Sequence, residues 1–309
     1  MALRLFWIGL GNMGRGMCKN IVEKANLDQP LLIYNRTRQR SVELSEKLGA
    51  DKTAVVDSVA EGVAQADVII TCVANDKAME ATVDEIIKQG GDIAGKLFVD
   101  CSTIHPDTTE RVGKALTDKG AEFVAGPVFG AAAMAESGMV ISVLAGPKAS
   151  VDRARPYFKG VTARAEIDMS GEPWGKALLL KVTGNAFILG MVEMLAEGHV
   201  LAEKTGLGTK YLDSLVGNMF GGPFGAYSGR LVSGDYYKRD PPAFAVDLAR
   251  KDAGHALSLA KAAGTRMRIV EVADEHLKLV KEHVGENGDL AGIYGAIRLE
   301  AGLDYRNEA

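Results

Sequence analysis

The stretch Leu3-Arg4-Leu5-Phe6-Trp7-Ile8-Gly9-Leu10-Gly11-Asn12-Met13-Gly14 decides how this chain is read. A short apolar run, as expected of a strand buried on both faces, passes directly into G-x-G-x-x-G and then into a helical pattern. Each glycine meets a separate need. The first permits the tight turn, the second lets the backbone approach a pyrophosphate, and the third lets helix and strand pack closely. A pyrophosphate would lie on the helix N-terminus, where unpaired N–H groups and the positive end of the dipole meet it. Gly9, Leu10, Gly11, Asn12, Met13 and Gly14 are therefore candidate cofactor-binding residues.

Working outward, further apolar runs recur at 31–35, 68–73, 97–102, 122–128 and 140–146, with weaker ones near 54–56 and 163–169. Helical patterns separate them at 13–25, 39–48, 76–88 and 106–119. Such alternation predicts an α/β fold, a Rossmann-type, doubly wound, mainly parallel sheet over residues 1–170. After Ser170 the pattern becomes helical throughout. From Trp174 to about Thr205 no proline interrupts, so a helix of roughly 45 Å is expected at 1.5 Å per residue. It would join the sheet to an all-α C-terminal domain over 171–309, with helices at 209–219, 245–263, 268–282 and 290–301. The glycine- and proline-rich stretch 220–242 reads as a long connection.

The end of the second strand bears on the cofactor. An NAD site usually places Asp or Glu there for the ribose 2′-hydroxyl. This chain has Asn35-Arg36-Thr37. No carboxylate repels a 2′-phosphate, Arg36 offers a planar fork and Thr37 a hydroxyl, so NADP(H) is expected over NAD(H). A net charge of −4 shows no footprint for nucleic acid. Three cysteines, Cys18, Cys72 and Cys101, match no zinc spacing and fit a reducing compartment. No His/Asp/Glu cluster has metal-ligand spacing, so no metal is expected. No signal or transit pattern is evident, and the apolar segment 177–189 is short and carries Lys181 and Asn185, which argues against a membrane span. The expectation is a cytoplasmic protein.

Lys181 and Asn185, four residues apart, share one face of the long helix. A lysine among Leu178, Leu179, Leu180 and Val182 would be desolvated, which favours its neutral form and suits a general acid/base.

The chain resembles the β-hydroxyacid dehydrogenase family, which includes 3-hydroxyisobutyrate dehydrogenases and glyoxylate/succinic semialdehyde reductases. More distantly it is similar to 6-phosphogluconate dehydrogenase and imine reductases. The likeness rests on Gly9–Gly14, on Asp100-Cys101-Ser102-Thr103 with Pro106, and on Gly126-Pro127-Val128-Phe129-Gly130. It continues with Gly175 six residues before Lys181, Asn185, and Phe244 eight residues before Asp252. The resemblance implies that Lys181 is the proton donor during carbonyl reduction and that Asn185 holds the substrate or the lysine. Thr103 would lie near nicotinamide and substrate, with Ser102, Phe129, Gly130, Phe244 and Asp252 also around the substrate. Val73, Ala74 and Asn75 would touch the nicotinamide side and Lys251 the cofactor, in a site above the carboxyl ends of the strands and between the domains. A homodimer or higher homo-oligomer is implied as well.

Three departures stand out. Phe129 occupies the place of a serine that helps bind the substrate carboxylate in relatives, Ala177 that of a glycine, and Gly184 that of an asparagine. An imine reductase or reductive aminase is therefore the alternative, with a non-catalytic cofactor-binding scaffold as a third reading.

Overall fold

A computed structural model describes residues 3–308. The first half contains β1 (Leu5–Ile8), α1 (Asn12–Lys24), β2 (Leu31–Tyr34), α2 (Arg38–Leu48), β3 (Thr53–Val55), α3 (Val59–Gln65), β4 (Val68–Thr71), α4 (Asp76–Gln89), β5 (Leu97–Asp100) and α5 (Pro106–Thr117). It continues through β6 (Glu122–Ala125), β7 (Val128–Phe129), α6 (Ala132–Ser137), β8 (Val140–Gly146), α7 (Lys148–Ala154) and β9 (Ala163–Ser170). The strands form one sheet in the order β3-β2-β1-β4-β5-β6-β8-β7, with β9 against β8. Pairing is parallel from β3 to β6, and antiparallel where β8 meets β6 and β7. The order reverses between β1 and β4, the switch point at whose crevice such sheets bind ligands.

Both faces of this sheet are buried, and β1 shows why its sequence is continuously apolar. Leu5 and Trp7 enter one core with Met17, Ile33 and Val99, whereas Phe6 and Ile8 enter another with Leu32, Ile69 and Phe98. Successive side chains of a strand alternate between faces, so a two-sided core needs an unbroken apolar run.

The helix α8 (Trp174–Lys204) is a single element of 31 residues, about 46 Å long. Ala177 and Leu178 belong to the core of the first half, and Val182, Ala186, Leu189, Val192 and Ala196 to that of the second. By compactness the chain divides into two units, residues 1–181 and 182–309. By length and composition alone the helix could cross a membrane. It nevertheless reads as a core helix, because one side of it, with Val182, Leu189, Val192 and Ala196, serves protein cores and it buries Lys181, Glu193 and His199.

The second unit contains α9 (Thr209–Met219), α10 (Gly222–Val232), α11 (Asp235–Lys238), α12 (Val246–Ala262), α13 (Arg268–Val284) and α14 (Ile293–Glu300). The stretch 220–242 is thus mostly helical, contrary to expectation. Pro223 sits in the first turn of α10, where its missing N–H costs nothing. Gly225 faces the Gly217 Cα of α9 across a close helix crossing. Glycine here serves close packing as well as chain reversal. The helix expected over 290–301 is interrupted by a tight turn at Leu290–Gly292, where Asp289 caps the N–H of Ala291.

Candidate active site

Three glycines around the β1–α1 turn have different surroundings. Gly9 adopts φ +99°, and a Cβ there would lie 2.3 Å from the Cys72 carbonyl oxygen. A Cβ on Gly14 would lie 2.1 Å from the Gly9 carbonyl oxygen. Both are required by the fold itself. Gly11, with φ −70° and ψ −170°, is in an ordinary extended conformation and nothing lies within 4 Å of its would-be Cβ. The fold therefore does not need glycine at position 11. An open cradle at the N-cap of a 13-residue helix fits a pyrophosphate drawn close to the backbone.

The cradle is tied to β2. The Gly9 N–H donates to the Tyr34 carbonyl at 2.9 Å, and the Leu10 N–H to Asn35 Oδ1 at 3.0 Å. Leu10 itself is a core residue, and Asn35 acts as a brace for the turn. Its amide also donates to the Thr37 carbonyl at 3.1 Å. Arg36 and Thr37 are exposed beside it, and Arg38 is engaged by Asp57 at 2.9 Å.

The neighbouring loops at the carboxyl ends of β4 and β5 are held by a polar hub. The Asp100 carboxylate, fully buried, accepts from Thr71 Oγ1 at 2.7 Å and from the Ser102 N–H at 3.0 Å. Ser102 Oγ in turn accepts from the Val73 N–H at 2.8 Å. The structure thus gives Ser102 a positioning task for the loop of Val73, Ala74 and Asn75. Asn75 caps α4 through the Ala78 N–H at 3.0 Å. Thr103 follows, half-buried, and it does not cap α5, because His105 does so through the Asp107 N–H at 3.2 Å. Sequence reading missed the hub formed by Asp100. Its signal is a charged residue closing the apolar run Leu97-Phe98-Val99.

Lys181 is 7% exposed, and its Nζ stands 4.6 Å from the centre of the Phe129 ring. An ammonium over an aromatic face at this distance is a cation–π contact. The structure therefore brings together the two residues of the first unit that the sequence singled out most sharply.

Within the second unit, the buried Asn185 and Asp252 and the half-buried Lys251 form a chain. Asn185 Nδ2 donates to Asp252 Oδ2 at 2.6 Å, and Lys251 Nζ meets Asp252 Oδ1 at 3.1 Å. Asp252 is not a solvated surface group, being 3% exposed. Phe244 is partly buried, and its N–H donates to Asp289 Oδ2 at 3.0 Å. Asp289, missed by sequence reading, also accepts from Arg230 at 2.8 Å and so orders the segment before α12. Among the described residues no cluster of His, Cys, Asp or Glu is placed to hold a metal ion.

Comparison with known proteins gives this geometry a family. Residues 4–171 match the NAD binding domain of 6-phosphogluconate dehydrogenase, and residues 175–297 match the NAD-binding domain of NADP-dependent 3-hydroxyisobutyrate dehydrogenase. The NADH-dependent oxidoreductase ucdB of Aspergillus ustus is 37% identical over 95% of this chain and 98% of its own. Glyoxylate/succinic semialdehyde reductase 1 of Arabidopsis thaliana is 28% identical over 94% of this chain and 96% of its own. The solved structure of Mycobacterium tuberculosis 3-hydroxyisobutyrate dehydrogenase shares the fold, with a TM-score of 0.80 at 22% identity over 96% of this chain and 100% of that one. The chain belongs to the β-hydroxyacid dehydrogenase family of NAD(P)-dependent oxidoreductases.

Proposed function

We propose that the protein is an NADPH-dependent reductase of small aldehydes and keto acids, reversible as a β-hydroxyacid dehydrogenase, with Lys181 as general acid/base. The observation that carries this reading is a nearly buried lysine held against Phe129 in the unit that bears the G-x-G-x-x-G cradle. The bound coenzyme supplies the hydride to the carbonyl carbon. Lys181 Nζ gives a proton to the carbonyl oxygen as the alcohol forms, and takes it back in the reverse direction. The α1 N-terminus at Gly11, Asn12 and Met13 binds pyrophosphate, and the loop 73–75 orients the nicotinamide. By the family resemblance, Thr103, Asn185, Gly130, Phe244 and Asp252 serve the substrate and Lys251 the cofactor.

Arg36 and the lack of a carboxylate at the end of β2 support NADPH, although one relative's name specifies NADH. Arg36→Ala should weaken NADPH binding selectively. An equal loss for NADH would overturn the preference. The absence of disulfides among the three cysteines supports a cytoplasmic location, and fractionation tests it. A homodimer is supported by an exposed apolar row on α8, Phe187, Met194 and Leu201 at seven-residue intervals, and by Tyr211, Leu215 and Met219 on α9. Sedimentation of the wild type as a monomer would remove it.

The deciding experiment is Lys181→Ala. General acids contribute about 10²–10⁴ in rate, so kcat should fall by about that factor while NADPH binding stays within about threefold. Equal turnover would refute the assignment. Imine reduction remains the second reading, favoured by Phe129 and Gly184, and cyclic imines belong in the substrate panel.

A further inference from the structure

Phe129 and Lys181 are both set in place by the surrounding fold. Strand β7 consists of Val128 and Phe129 alone, paired antiparallel with Ser142 and Ile141 of β8. The Val143 N–H fixes the residue before it by donating to the Pro127 carbonyl at 2.9 Å. Gly130 ends the strand at φ +148°, with a would-be Cβ 3.1 Å from Val140 Cγ1. On the other side, α8 is anchored one turn before Lys181 by the buried Ala177 and Leu178, and at its start by Trp174. The Trp174 indole donates to the Phe123 carbonyl at 3.0 Å. The separation of 4.6 Å between ammonium and ring centre follows from these two supports.

The ring has two chemical effects. Its negative face attracts the ammonium, more strongly in a desolvated setting than in water. The same face offers nothing to an anion. From Gly126 to Ala131 no side chain carries a hydrogen-bond donor, so this segment itself offers a substrate carboxylate backbone N–H groups alone, and the nearby Lys181 ammonium is committed to the carbonyl oxygen.

We propose that Phe129 determines specificity in this site. Its ring seats the Lys181 ammonium and presents an apolar wall to the substrate, so that the carbonyl compounds reduced carry an alkyl or aryl substituent in place of a carboxylate. The proposal rests on Lys181 being the proton donor; it keeps the aldehydes of that reading, sets its keto acids aside and adds uncharged ketones.

The test compares pentanal with succinic semialdehyde, which are close in length and differ in charge, and adds benzaldehyde. Wild-type protein with NADPH should favour pentanal in kcat/KM by at least about tenfold. Phe129→Ser should lower that ratio by about tenfold, or about 1.4 kcal/mol. Phe129→Leu keeps the apolar wall and removes the π face. It should hold the ratio while kcat falls several-fold at similar KM. Phe129→Tyr should rescue kcat, and thermal unfolding of each variant confirms that the comparison is between folded proteins. A wild-type preference for succinic semialdehyde, or an unchanged ratio in Phe129→Ser, overturns the specificity role. Full kcat in Phe129→Leu overturns the seating role. Lys181→Ala separates the two levels. If it turns over all three aldehydes as well as wild type does, the proton-donor reading itself fails. If only the Phe129 variants behave contrary to expectation, that reading survives.

Discussion

Replacing Gly11 and Gly14 separately by alanine should pull apart two demands that the same motif makes. At Gly14 the new Cβ would lie 2.1 Å from the backbone oxygen of Gly9, and a backbone atom cannot swing away. Helix α1 must shift from β1, at the cost of overpacking, about 1–3 kcal/mol or more. For a chain of 309 residues that corresponds to a fall in Tm of roughly 1.5–5 °C or more. At Gly11 nothing lies within 4 Å and the backbone angles suit alanine. There the smaller freedom of the unfolded chain should stabilise the fold by about 0.4–1 kcal/mol. The added methyl instead fills the space through which a pyrophosphate approaches the helix N-terminus. Loss of one hydrogen bond to a charged group costs about 1.5–3 kcal/mol, which is about 10- to 150-fold in coenzyme Kd. The assay pairs thermal unfolding with a fluorescence titration of NADPH for each variant. If Gly11→Ala binds NADPH like wild type, or melts as early as Gly14→Ala, the distinction drawn between the two glycines is wrong.

Other sites give further predictions. Ser102→Ala leaves the Val73 N–H without its acceptor, so stability should fall by about 1–3 kcal/mol and coenzyme affinity should fall with it. Unchanged affinity in urea-stable protein would show that the loop is held otherwise. In the second unit the hydrogen bond of His276 to the buried Glu193, 2.7 Å away, pushes the imidazole up to about 9 from its usual value near 6.5. A value raised by folding means that this stabilisation is complete below pH 6.5 and is lost as pH climbs towards 9, at most about 3 kcal/mol. Denaturant midpoints should therefore decline across that window, and Glu193→Gln should flatten the decline. Asp289→Ala leaves Arg230 in a half-buried place with one acid partner fewer, and breaking such a pair should cost about 3–5 kcal/mol. A loss below 1 kcal/mol in urea melts would show that water takes over the pairing.

Much of the first unit was legible because a strand buried on both faces is apolar along most of its length. The run 140–146 and the helix Thr209–Met219 fall where periodicity puts them. The short helices α3, α6 and α7 did not stand out, since six or seven residues span only about two turns and show no clear stripe. Glycine and proline in 220–242 suggested a loop because propensity cannot see that Gly217 and Gly225 let two helices approach. In the candidate site, the glycine motif and the Lys181–Asn185 spacing were visible as patterns. The Phe129 departure was visible too, but the contact between ring and ammonium depends on residues more than fifty positions apart. The tasks of Asp100 and Asp289 were hidden for the same reason, because a carboxylate's partners are set by tertiary structure.

The long helix α8 has a consequence for how the chain is made. It leaves the ribosome as an apolar rod about 90 residues before Tyr294, which belongs to the core that covers it. At about 5–20 residues per second, that interval is roughly 5–20 s. During it Val192, Leu195 and Ala196 face water, and Glu193 waits for His276. Nascent chains halted in this window should be the ones that chaperones hold and that aggregate when synthesis outruns capture. Slower translation after Lys204 would worsen the yield of native protein, whereas faster synthesis of the last three helices would improve it.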